Sequence, residues 1–150
     1  MKLLHTVKLS VFVYPEEDEQ AIRQRLIELV PFNLEEEKIK VEQQTAEGFQ
    51  EKRIKIFNMM LSKEKHTTGF LNNLLEKLPE EEKRFIHKTA ETRVDDEFNI
   101  FIRLDKPKLL EKNQYWLTDH GNCYHITMNI ACFPRKKEVA LEIVKKIFKA

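Results

Sequence analysis

The chain has 150 residues and a mass of 18.0 kDa, with 41% hydrophobic and 34% charged residues. Its 26 Lys plus Arg face 25 Asp plus Glu, a formal net charge of +1, which excludes a disordered polyelectrolyte tail and a uniformly basic nucleic-acid coat. The length suits one compact domain, residues 1–150, that removes about 70% of its unfolded surface from water. Any nucleic-acid contact must then come from cations concentrated on one face.

No run reaches the roughly 18 consecutive apolar residues of a membrane helix, so no membrane contact is expected. The opening Met1-Lys2-Leu3-Leu4-His5 has neither the long apolar stretch nor the small-residue cleavage site of a secretory signal. Cys123 and Cys132 read as lying on opposite faces of one strand, too far apart to bridge. A cytoplasmic protein with reduced thiols is the expectation. Gly48, Gly69 and Gly121 are too dispersed to form a phosphate-cradling loop, and no cofactor is expected.

In chain order, Val7, Leu9, Val11 and Val13 alternate with Thr6, Lys8, Ser10 and Phe12, the pattern of a half-buried strand. Pro15 ends it, and Glu16-Glu17-Asp18-Glu19 suits the positive end of a helix carrying Ile22, Leu26, Leu29 and Val30. Residues 38–46 and 52–61 read as strands joined by a hairpin loop at Glu47-Gly48-Phe49-Gln50. An amphipathic helix is predicted over 67–78, on Phe70, Leu71, Leu74, Leu75 and Leu78. Pro79 and Glu80-Glu81-Glu82 then start another, with Phe85, Ile86 and Ala90 inward.

Residues 97–105 alternate again, with Phe98, Ile100, Ile102 and Leu104 inward and Phe101 and Arg103 outward. After a short, partly helical connection at 106–113, residues 114–118 and 123–133 read as a second hairpin. A last helix over 136–148 buries Ala140, Ile143, Val144, Ile147 and Phe148. The order β-α-β-β-α-α-β-β-β-α predicts an α+β fold: a largely antiparallel sheet with helices packed on one face and the other face open.

Chemistry-bearing clusters are few. His120, Cys123 and His125, with Asp119 beside them, could converge, but a structural zinc site needs a paired ligand element and a fourth ligand, and neither is evident. No metal ligands and no catalytic residues are assigned. The acidic clusters at 16–19, 35–37, 80–82 and 95–97 read mainly as helix-start and solvated charge. More informative are three basic groups: Lys52, Arg53 and Lys55; Arg103, Lys106, Lys108 and Lys112; and Arg135, Lys136 and Lys137. Gathered in one groove they would attract phosphates; dispersed, they would only solubilise the surface. Alternation also places Lys8, Phe12, Lys40, Phe101, Arg103, His125 and Asn129 on the open sheet face, where aromatics among cations can stack unpaired bases.

Several stretches resemble one archaeal family of RNA-binding-domain proteins described as exosome-associated subunits. They are His5-Thr6-Val7 through Glu16-Glu17-Asp18-Glu19, Thr45-Ala46-Glu47-Gly48-Phe49, Arg103-Leu104-Asp105-Lys106, and Phe133-Pro134-Arg135-Lys136 before a helix. The similarity extends over nearly the whole chain. It implies a fold akin to the large-subunit ribosomal protein that holds five-S RNA, and a role in binding RNA. Arg103, Asp105 and Lys106 match the family's strand-end motif, and Glu47-Gly48 its hairpin; Pro107 directly after Lys106 departs from it.

The expected function is non-catalytic RNA binding, with association to RNA-processing or RNA-degrading machinery. Lys52, Arg53, Arg103, Lys106, Lys108, Arg135, Lys136 and Lys137 would contact phosphates and Phe101 would stack a base. The alternative is a protein-interaction module, a homodimer or a docking subunit, that does not touch RNA.

Overall fold

Strand β1 (Leu4–Val13) shows how the pattern builds the fold. Val7, Leu9, Val11 and Val13 are buried, Thr6, Ser10 and Phe12 are half-buried, and Lys8 is exposed. β-Branched residues on one face suit a pleated surface covered from one side only. The computed structural model describes residues 2–47 and 53–149. The predicted hairpin tip and Lys52 lie outside those residues.

After β1 come α1 (Glu19–Glu28), β2 (Glu42–Glu47), β3 (Arg53–Leu61), α2 (Glu64–Lys77), α3 (Glu80–Lys88) and α4 (Ala90–Arg93). They are followed by β4 (Asn99–Asp105), α5 (Lys106–Lys112), β5 (Cys123–Ile130) and α6 (Lys137–Ile147). Every strand pairing is antiparallel, in the order β2-β3-β1-β5-β4, so β1 is central. One face is covered: Ile22 and Leu26 of α1, Phe70, Leu71 and Leu74 of α2, and Ala140 and Val144 of α6 close over Leu9, Phe57, Ile102 and Ile126. Each of these side chains larger than alanine contributes about 1.5–3 kcal/mol on burial. The α+β sheet with one open face is therefore as expected.

Local chemistry sets the ends. Asp18 caps α1, its carboxylate accepting the Ala21 N–H at 3.1 Å. Asp105 caps α5 the same way, accepting the Lys108 N–H at 2.9 Å. That cap turns the chain off β4 and back along its outer edge.

Three expectations are corrected. The first of the paired strands starts at Glu42, not residue 38. Lys38 has φ 58, and its N–H donates to Glu35 O at 3.2 Å, so the 38–40 stretch turns before it extends. Residues 114–118 do not pair with β5, because β4 already fills that side. They run along the free edge of β4 instead, where Asp105 N donates to Trp116 O at 2.8 Å and Thr118 N to Arg103 O at 3.0 Å. The sheet thus has five named strands among the described residues. Phe85, expected inward, is 47% exposed: Ile86 and Ala90 take the buried face of this segment, and Phe85 falls at its outer side, one turn before Thr89.

Candidate nucleic-acid interface

Register assigns the open face its neighbours. Arg103 of β4 stands opposite His125 of β5, His125 opposite Ser10 of β1, and Ser10 opposite Asn58 of β3. The next row on the same face runs Phe101, Thr127, Lys8 and Met60. Phe101 and Arg103 are exposed on the outermost strand, as their alternation implied.

Beside them, helix chemistry adds residues that alternation could not supply. Phe85, Thr89 and Arg93 recur at four-residue spacing, so they stack along one side of the α3–α4 segment. The Thr89 hydroxyl donates to Phe85 O at 2.7 Å and accepts from Arg93 Nε at 2.8 Å. Held this way, Arg93 lies with its guanidinium carbon 5.3 Å from the Phe85 ring centre and donates through Nη1 to Phe101 O at 3.5 Å. Phe85, Arg93, Phe101, Arg103, Thr118 and Asp119 line a cleft of about 320 Å³. Burial pulls the Arg93 guanidinium below its ordinary value, against the carboxylates of Asp119 and Glu82, and Arg103 adds repulsion. An arginine stays charged under such a shift. The margin of β4 thus combines two exposed aromatic rings with two cations, a pairing suited to stacked bases and their phosphates. Strand alternation misses Phe85 and Arg93, and reading Phe85 as a core residue hides them; the Phe85-Thr89-Arg93 spacing is the signal that could have found them.

Lys106 must be removed from the phosphate-contacting set. It is 1% exposed, and its ammonium donates to Phe12 O at 2.7 Å and to Glu17 Oε1 and Oε2 at 3.1 and 3.2 Å. Tyr14 covers it, its ring centre 5.5 Å from Nζ. Position explains this: Lys106 opens α5 directly after the β4 cap, where its side chain folds under the end of β1 instead of outward. Within Arg103-Leu104-Asp105-Lys106, Asp105 and Lys106 are therefore occupied by the fold, while Arg103 faces solvent.

The remaining cations do not gather into one groove. Lys108 is exposed, its ammonium 5.6 Å from the ring centre of Trp116, itself 40% exposed. Arg135, Lys136 and Lys137 are exposed around the start of α6, Arg135 lying 4.7 Å over the Phe98 ring before the opposite end of β4. Arg53 is exposed on β3 and falls on the helix-covered side of the pleat with Lys55, which pairs with Glu19 of α1. Three strand spacings, about 14 Å, separate β3 from β4.

At the centre of the open face, Phe12 and His125 cover one another, ring centres 5.8 Å apart. Cys123 Sγ lies 3.5 Å from His125 Nε2. Burial raises the Cys123 thiol, and burial, then Arg103, then Lys106 lowers the His125 imidazole. Both shifts favour the neutral pair, the opposite of an activated thiolate–imidazolium. Cys123 and Cys132 are both buried free thiols, and among the described residues no three His, Cys, Asp or Glu side chains gather as metal ligands.

Known proteins resemble the chain over nearly its whole length. The chain is 23% identical over 142 residues to an RNA-binding protein of Pyrococcus abyssi, covering 95% of this chain and 92% of that one. It is 26% identical over 148 residues to an uncharacterized protein of Methanocaldococcus jannaschii, covering 97% and 95%. A solved DUF54 protein of Methanothermobacter thermautotrophicus superposes with a TM-score of 0.79 at 27% identity, covering 98% of this chain and 99% of that one. The family model described as RNA binding matches residues 6–131, so the chain belongs to the RNA_binding family.

Proposed function

We propose that the protein is a non-catalytic RNA-binding protein that takes unpaired bases at the β4 margin. The observation that carries this is the cleft where Phe85 and Phe101 are exposed beside Arg93 and Arg103. Phe101 stacks a base, and Arg103 and Arg93 hold the adjoining phosphates, with Lys108 and Trp116 extending the surface. Arg135, Lys136 and Lys137 give a second phosphate contact farther along the sheet, while Arg53 lies on β3, three strand positions away from β4. The reading extends to a place beside RNA-processing or RNA-degrading machinery and to kinship with the ribosomal protein that holds five-S RNA. The sequence resemblance supports both. A cytoplasmic setting is supported by the two free thiols.

A second reading, a homodimer or docking subunit, is favoured by one feature, Phe133 at 93% exposure. Titrating isotope-labelled protein with a single-stranded RNA separates the two by chemical-shift mapping. The expected result is perturbation centred on Phe85, Arg93, Phe101 and Arg103, with Phe101→Ala weakening binding by about 1–3 kcal/mol, the worth of one stacked base. Unchanged spectra at those residues, with self-association through Phe133, would sink the RNA reading.

A further inference from the structure

A second basic feature lies across the open face, where β3 approaches the start of α2 and the turn before β2. A cleft of about 550 Å³ there is lined by Lys8, Lys38, Lys40 and Lys63, with Glu37 and Glu42 as its acids. All four lysines are exposed, and among the described residues none forms an ion pair. Glu37 does not offset them, because its carboxylate is already engaged by Lys65 at 2.9 Å and by His66 Nε2 at 2.8 Å. The hydrogen bonds from Lys65 and then His66 hold that carboxyl down at about 2. His66 is itself buried against the Phe32 ring, 4.8 Å between centres, so the pair is fixed in place. Among the residues that line the cleft, Glu42 is the one acid without such a partner beside four lysines.

The backbone presents these cations in an unusual way. Lys38 has φ 58, the left-handed region that Gly and Asn usually occupy. Ile39 N donates to Leu34 O at 2.9 Å, and Ile39 packs against the core, which fixes Lys38 and Lys40 on either side of it beside the sheet.

Register joins this cleft to the β4 margin. Phe101, Thr127 and Lys8 occupy one crosswise row of the open face, so Lys8 is two strand spacings, about 10 Å, from Phe101. Nothing charged stands between them in that row. We propose that the lysine cleft is a second phosphate-binding site, taking the backbone of the same RNA strand whose bases meet Phe101. The inference rests on the RNA-binding reading and adds to it a path: from the β4 margin, over Thr127 and Lys8, into the cleft beside β2. The charge of the cleft is dominated by lysines and no aromatic ring is exposed among its lining residues, His66 being buried, so it suits phosphates more than bases.

The test compares wild type with Lys38→Glu plus Lys63→Glu on fluorescein-labelled single-stranded RNA of about twelve nucleotides, long enough to cross the sheet, and of about three. Both lysines are exposed and unpaired, so an unchanged unfolding midpoint is expected; Lys38→Gln plus Lys63→Gln replaces the reversal if it is not. On the longer RNA the reversal should weaken binding about tenfold and flatten log K against log salt by roughly 0.7 for each phosphate no longer neutralised. On the shorter one, which reaches only Phe101 and Arg103, affinity should not change. Wild-type binding of the long RNA with the variant equal in affinity and salt slope would overturn the path while leaving the β4 site intact. An equal weakening on both lengths would overturn it too, as a general charge effect. Failure of wild type to bind either RNA would overturn the RNA-binding reading itself.

Discussion

Lys106 and Lys108 are two residues apart in one basic run, yet only one can reach a ligand. Lys108 is exposed beside Trp116, whereas Lys106 sits under Tyr14 with its charge spent on Glu17 and Phe12 O. The difference comes from Glu17, 89 positions earlier, an acid that local reading assigns to a helix start. A long-range ion pair of this kind leaves no trace in neighbouring residues, so the basic run by itself assigns both lysines to phosphate. Removing one partner of a buried pair leaves the other desolvated and unmet. Lys106→Ala should cost about 2–3 kcal/mol of stability, since Glu17 keeps some water and the Tyr14 N–H at 2.9 Å. Urea unfolding measures that cost. The folded variant should bind RNA as tightly as wild type, and a selective loss of binding with full stability would return Lys106 to the interface.

At the scale of elements, strand alternation was the most legible signal. Valines at 7, 11 and 13 and isoleucines at 100, 102, 126 and 130 point inward as their period requires, and that alone exposed Phe101 and Arg103. What could not be read was which elements become neighbours. Residues 114–118 look like the first arm of a hairpin, but α5 carries them to the outer edge of β4, where they border the cleft through Thr118. The α3–α4 segment likewise supplies Phe85 and Arg93 only because it packs beside β4. Tertiary placement also links β5 to α1, where the buried Tyr124 hydroxyl donates to Ile22 O at 2.8 Å. Tyr124→Phe deletes that one bond and keeps the ring packing. It should destabilise by about 0.5–1.5 kcal/mol in thermal unfolding. A change well beyond this range would mean that the hydroxyl organises more of the α1 packing than one bond explains.

Across the whole molecule, a net charge of +1 conceals an uneven distribution. Acids at Asp18, Glu19, Glu80 and Glu138 cap or begin helices, and Glu17 and Glu37 are occupied by internal partners. Exposed cations remain across the open sheet face, at Arg103 on the β4 margin, at Lys8 on the central strand and at Lys40 just before β2. Such a surface should bind RNA with modest, salt-sensitive affinity. The most direct measurement is fluorescence anisotropy of a single-stranded RNA at about 50 and about 200 mM salt, for wild type and Arg103→Glu. Wild-type affinity should fall steeply with salt, and the variant should bind about tenfold more weakly with a shallower slope. Equal affinity and an equal slope in the two proteins would contradict RNA binding at the β4 margin.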